Sequence, residues 1–462
     1  MKKLLISLFF ITITCSLHAQ NFEGAWYGLI KLPTTQLHLV FHITKTGDTY
    51  TATMDSPDQN ANGLPVDKVD VSQNNITLTA AKFGVTYTGT YLPDSNKIKG
   101  TFTQGPGSLP LNLTRTPVAA AVEKRPQDPT DFPYKQEEVK FTNPKAGDVL
   151  AGTLTMPADG KAKKLVILIT GSGPQNRNEE LGPPINHRPF LVWSDWLTRQ
   201  GIAVLRYDDR GIAKSTGTFG TATTADFADD VIAAINYIQS RVDLKNLEIG
   251  LLGHSEGGII APMVAAGNKN VKFVVMVAGP GVPIKELMIQ QNADHLRLLG
   301  APDTVIALSR RNNTAIYNTV IQYANLPSDQ FSQKADSVFY TVYPKSEEGV
   351  KAAKEAAAQL TIPWSRYFIN IVPANYLVKV KCPVLAIDGT LDYQVKGDDN
   401  LRAINDALQK GGNKNFETVL LPGLNHLMQK ATTGSDAEYG QIPETVNLSA
   451  LKKVSDWING LQ

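Results

Sequence analysis

The chain is poor in the features that would make its classification quick. Of its 462 residues only two are cysteines. One of them, Cys15, falls in the first twenty residues, so the rest of the chain holds Cys382 alone and can form no internal disulfide. Its neighbours Val380, Pro383, Val384 and Leu385 predict a small residue beside a buried strand rather than a nucleophile. Charge of one sign is lacking too: 45 basic residues face 43 acidic ones. Lys2 and Lys3 supply the whole excess, which removes the electrostatic case for a nucleic-acid partner. No stretch approaches about 20 consecutive apolar residues, so no membrane span is expected. No HExxH, paired His/Cys spacing or GxxxxGK[ST] loop occurs, so the sequence calls for no metal, cofactor or nucleotide.

What is present is enough apolar material for a large core, 42% of residues with 19% charged, and a length that fits roughly two to four domains. Two account for the pattern. Residues 1–19 run from two lysines through an apolar stretch to Ala19, the order of a secretory signal cleaved there, which predicts export to the periplasm or the medium. Residues 20–116 are short alternating segments cut by Gly, Pro, Asn and Asp. Leu37, Leu39, Phe41 and Ile43 share one face of one of them, and about eight strands fit, as a small all-β barrel or sandwich.

Residues 117–133 hold four prolines and no apolar periodicity, the composition of a linker. From 134 to 462 apolar strands alternate with amphipathic helices, which predicts an α/β domain on a largely parallel sheet. Between 283 and 376 the strands stop and helices intervene, an insertion placed to act as a helical cap. Its Tyr317, Tyr323, Phe331, Phe339, Tyr340, Trp364, Tyr367 and Phe368 are expected mostly to pack the cap's own core.

The chemistry centres on Gly253-His254-Ser255-Glu256-Gly257. With 36 glycines in the chain, a bare GxSxG arises by chance in roughly one chain in several. Here it follows the apolar strand ending at Leu252 and precedes a helix, the setting in which a tight turn exposes a strained nucleophilic serine. Serine needs a base, and the base needs an acid to fix its tautomer. Downstream, Pro383 to Asp392 is a buried strand entering a loop with Asp388 and Asp392, and Leu420 to His426 is a second strand ending at a histidine. The order Ser, Asp, His at strand ends is what an α/β-hydrolase sheet requires.

On these motifs, 137–462 resembles the secreted esterase and serine-aminopeptidase-like group of α/β-hydrolases. The resemblance implies Ser255 as nucleophile, His426 as base, and Asp392, three residues after Gly389, as the acid in preference to Asp388. It places an oxyanion donor at the Glu256 backbone amide. A second comes from Gly171-Ser172-Gly173-Pro174-Gln175, through Ser172 or Gly173, with Thr170 where the group usually has His. His254 is expected to serve packing, Asp209 and Arg210 to tie loops beneath the site, and Lys214 to line an entrance.

The expected activity is cleavage of a small carboxylic ester through an acyl-enzyme. The alternative is a serine peptidase acting on small peptides or aminoacyl amides, and further off stands a binding protein on an inactive hydrolase scaffold. A propeller blade needs about 40 to 45 residues, so the short β region is too small for the propeller that prolyl-oligopeptidase-like enzymes carry, which favours the ester.

Overall fold

The structure, a computed structural model, describes residues 22–31, 36–57, 61–105, 107–118, 124–182, 185–343 and 345–462. The expected signal segment, 1–19, lies outside the described residues. The chain divides into two compact units, Met1–Val122 and Glu123–Gln462.

The first unit is a ten-stranded antiparallel sheet. Its strands are β1 (Gly24–Lys31), β2 (Gln36–Thr46), β3 (Thr49–Ser56), β4 (Ala61–Val66), β5 (Lys68–Ser72), β6 (Asn75–Ala80), β7 (Val85–Leu92), β8 (Lys97–Gln104), β9 (Gly107–Pro110) and β10 (Leu113–Thr114). They run in the order β4-β3-β2-β1-β10-β8-β7-β6-β5, with β9 beside β8. The two end strands are neighbours in sequence, joined through Asp67 alone, so the sheet curls until it is a nearly closed barrel and leaves little free edge. Alternate residues turn inward: Trp26, Phe41, Tyr87 and Ile98 are fully buried. Among the described residues there are ten strands where the sequence predicts about eight, because β9 and β10 are too short to show a period of two.

The second unit has the α/β-hydrolase fold. Its strands are β11 (Lys135–Thr142), β12 (Val149–Met156), β13 (Lys164–Ile169), β14 (Ala203–Tyr207), β15 (Glu248–His254), β16 (Val271–Val277), β17 (Val384–Gly389) and β18 (Phe416–Leu421). The order is β11-β12-β14-β13-β15-β16-β17-β18, antiparallel as far as β14 and parallel from there. The central strands are apolar throughout because helices cover both faces. On one face α2 (Thr224–Ser240) and α3 (Gly257–Ala265) bury Val231, Ile235 and Ile260; on the other, α1 (Pro189–Arg199) and α11 (Leu448–Gly460) bury Trp193, Leu197 and Val454.

The stretch read as a linker is in part docked on this unit. Arg125 is buried and donates to the carbonyls of Ile185 at 2.7 Å and Glu444 at 3.0 Å, while Asp128 pairs with the buried Arg188.

Between β16 and β17 the described residues form six helices: α4 (Ile284–Leu298), α5 (Asp303–Tyr323), α6 (Ser328–Val342), α7 (Glu347–Thr361), α8 (Pro363–Phe368) and α9 (Ala374–Leu377). Tyr317, Phe331 and Phe339 form a core within these helices with Ile316 and Val320. Trp364 and Phe368 do something else. They stack at 4.7 Å and face the cavity described next. The Tyr340 side chain lies outside the described residues. Among the described residues no helix is long and apolar enough to cross a membrane, and no cluster of His, Cys, Asp or Glu could hold a metal.

Candidate active site

Strand β15 delivers Ser255 at its carboxyl end with φ of +52°, a left-handed conformation rare for a side chain other than glycine. The turn is held by Ser255 N donating to the Val277 carbonyl at 2.9 Å and by Gly258 N donating to the Ser255 carbonyl at 2.8 Å. Its glycines are there for space. A Cβ on Gly253 would sit 1.9 Å from the Gly257 carbonyl oxygen, and one on Gly257 would sit 2.2 Å from that of Ile169. No side chain fits between the strand, the turn and the helix that follows.

The two sheet strands beyond β16 supply the partners. After β17, Asp392 is 4% exposed, and its Oδ1 accepts the backbone N–H groups of Gln394 at 2.8 Å and Val395 at 2.9 Å. Its other oxygen, Oδ2, lies 2.7 Å from Nδ1 of His426, which follows β18. The His426 turn is braced by the Asn425 side-chain oxygen, which accepts from Leu427 N and Gln429 N. Ser255 and His426 line one cavity of about 490 Å3.

Asp388 takes no part in that contact. It is fully buried at the end of β17, with Oδ1 accepting its neighbour Gly389 N at 2.7 Å. Burial, and then the charge of Asp392, push its carboxyl far above the ordinary range, so it stays a neutral acid.

Four further groups shape the site. Both ring nitrogens of His254 face acceptors, Glu179 Oε1 at 2.9 Å from Nδ1 and the His426 carbonyl at 3.0 Å from Nε2. Only the imidazolium form of His254 can donate to both at once. Burial opposes that charge, but Glu179 outweighs it and the pKa is raised. His254 is thus more than packing, since it ties the backbone of His426 to Glu179, which also accepts Gly171 N at 2.8 Å.

The Glu256 side chain, 2% exposed, accepts from Ser172 Oγ at 2.8 Å, Thr224 Oγ1 at 2.6 Å and Trp364 Nε1 at 2.9 Å. Burial raises its pKa, and these three neutral donors lower it. Asp209 holds the 170–175 loop from below, accepting from Thr170 Oγ1 and Gln175 N, and burial pushes its carboxyl up to about 8. His187 belongs to the cavity wall. It is fully buried, donates Nε2–H to the Thr445 carbonyl, and is kept neutral by burial, which lowers its pKa to about 3.

Ser172 and Glu256 line the cavity beside Ser255, whereas Gly173 faces a separate small void. Lys214 is away from the cavity, paired with Glu138 at 3.1 Å. Cys382 is half-buried against the sheet core, its thiol pushed up to about 11 by burial. The roles of Glu179, His254 and Trp364 leave no local signal in the sequence, because each depends on a partner from a distant segment.

Residues 191–430 match the family described as serine aminopeptidase, S33. Among curated proteins, Esterase EstD of Thermotoga maritima is 26% identical over 279 residues, covering 60% of this chain and 58% of its own length. Among solved structures, the esterase Pf2001 of Pyrococcus furiosus is similar at 18% identity and a TM-score of 0.43, over 72% of this chain and 94% of that one. Est1E of Butyrivibrio proteoclasticus, solved with ferulic acid, is similar at 20% identity and a TM-score of 0.40, over 70% of this chain and 98% of that one. The family match spans just over half of the chain and carries Ser255, Asp392 and His426, and the protein belongs to the serine aminopeptidase S33 family of α/β hydrolases.

Proposed function

We propose that this serine hydrolase cleaves carboxylic esters through an acyl-enzyme formed on Ser255. His426 takes the Ser255 proton as the hydroxyl attacks the ester carbonyl, then returns it to the leaving alcohol. Asp392 fixes the tautomer with Nδ1 protonated and Nε2 free, and stabilises the imidazolium that forms. Water, activated by His426 in turn, releases the acid. The Glu256 and Ser172 backbone amides receive the oxyanion, a contribution of about 3 kcal/mol for one donor.

The observation that carries this reading is the 2.7 Å contact of His426 with Asp392 in the cavity that holds the strained Ser255. The ester preference rests on the cavity's walls. Leu181, Ile185, Leu287, Met288, Trp364 and Phe368 make it largely apolar. An aminopeptidase needs a free carboxylate to hold the substrate's ammonium, and Glu179 and Glu256 are already engaged by His254, Gly171, Ser172, Thr224 and Trp364. The second reading, a peptidase, keeps one foothold in Asp436, which lies exposed on the cavity wall.

The test pairs the protein and its Ser255→Ala variant on matched short-chain aryl esters and aminoacyl anilides. Ester turnover lost in the variant is expected. Anilide turnover of similar kcat/KM would move the assignment to the peptidase, and no turnover of either by a folded protein would end the ester reading.

A further inference from the structure

Arg206 is an anomaly on β14. It is 5% exposed, yet among the described residues no carboxylate lies within ion-pair distance of it. Nη1 donates to the Asn178 side-chain oxygen, while Nε has no partner and Nη2 makes no hydrogen bond among the described residues. A buried charge without a counter-charge is costly, and an apolar side chain of the same length would pack there without that cost. Burial, and then the charge of Arg177, lower its pKa to about 10, so it remains a cation at neutral pH.

Arg206 forms part of the wall of an open cavity of about 370 Å3, together with Gln136, Glu138, Asn176, Arg177 and Lys214. Two carboxylates face this region, and both are engaged. Asp208, 2% exposed, is held by Arg177 through Nε at 3.0 Å and Nη2 at 2.8 Å. Glu138 is held by Arg177 Nη1 at 2.9 Å, Lys214 Nζ at 3.1 Å and Thr153 Oγ1 at 2.6 Å. Three cations therefore face two carboxylates, and the surplus charge is that of Arg206. The wall also carries the neutral amides of Gln136 and Asn176, the latter with one N–H already on Glu180 at 2.9 Å.

We propose that this cavity is a binding site for a small oxyanion, a carboxylate or phosphate group, that supplies Arg206 with its missing counter-charge. Nε is shut off from solvent and Nη1 is on Asn178, so the N–H groups of Nη2 are the unused donors left to meet the oxygens of such a group, and Lys214 adds a second cation on the same wall. The site is separate from the catalytic cavity, with which it shares no wall residue, and the proposal is independent of the ester reading.

Isothermal titration of the whole protein with sodium phosphate and, separately, sodium acetate, at constant ionic strength set with chloride, tests it. Saturable one-to-one binding of at least one anion is expected, unchanged in Ser255→Ala. Lys214→Ala, a change at an exposed side chain, should weaken it about 3- to 10-fold. Arg206→Met should weaken it by at least about 10-fold while raising the unfolding temperature, because it removes a buried unpaired charge. If Arg206→Met does not fold, the Lys214→Ala titration decides. No saturable binding of either anion, or an affinity untouched by the substitutions, overturns the proposal.

Discussion

Asp388 ends β17 and Asp392 stands four residues further on, in the loop that follows, and replacing each by Asn separates their roles. In Asp392, Oδ1 is fixed by two backbone donors, Gln394 N and Val395 N. An asparagine there must keep its oxygen on those amides, which turns its NH2 toward Nδ1 of His426. That contact is satisfied only if Nδ1 carries no proton, so the proton moves to Nε2 and His426 can no longer accept from Ser255. Losing the charge-assisted bond alone removes about 1.5 to 3 kcal/mol. The wrong tautomer takes the loss further, to about 10^4-fold in kcat, the size known for this swap in a Ser-His-Asp triad. Asp388 is already neutral: one oxygen accepts from Gly389 N and the protonated side of the carboxyl faces Asp392, and an asparagine offers the same acceptor and a donor in their places. Asp388→Asn should therefore change kcat by less than about 3-fold. Initial rates on a short aryl ester, with circular dichroism to confirm folding, read both variants. A loss below about 10-fold in Asp392→Asn, or a large loss in Asp388→Asn alone, would refute the assignment.

Trp364→Phe keeps the stacking on Phe368 but removes the donor to Glu256, so KM for bulky acyl esters should rise about 5- to 50-fold with kcat for acetyl esters nearly unchanged, as measured by steady-state kinetics across chain lengths. His187 is neutral when folded, with a pKa near 3 against an ordinary 6.5. The unfolded chain therefore binds the extra proton first, and stability is lost as pH falls from about 6.5 toward 3. Chemical denaturation across that window should show a shallower pH slope in His187→Gln. Gly253→Ala forces a Cβ to 1.9 Å from a backbone oxygen and should cost at least about 3 kcal/mol, read as a fall in unfolding temperature or as insoluble expression.

Ser255, His426 and the Asp392 behind it are legible in the sequence because each sits where a strand pattern breaks. Ser255 ends a run of buried residues, and Asp392 and His426 follow two more, so position on a strand end carries the signal without any knowledge of distance. The choice between Ser172 and Gly173 is beyond the sequence, since it depends on which way a five-residue loop turns. The same holds for His254, whose ring bonds a carbonyl 172 positions away. Thr224 reads as a helix cap beside Thr223, yet its hydroxyl serves Glu256, while Asp226 accepts Thr223 N at 2.9 Å. Glu256 itself is visible only as a neighbour of the nucleophile. Its three donors come from a loop, a helix start and the inserted helices, and none leaves a periodic trace.

The sheet order puts the proposed nucleophile and base on strands of unequal security. Ser255 leaves β15, which is flanked by β13 and β16, but His426 leaves β18, which pairs on one side only. An edge strand and the segment after it can detach at a fraction of the free energy needed to melt the centre. On gentle warming the molecule can thus part with its base while the elbow stays folded and loaded with an inert serine. If the proposed triad holds, turnover would then fade before the far-ultraviolet spectrum changes and return on cooling, and a heat-inactivation curve would report the grip of β18 rather than the survival of the fold.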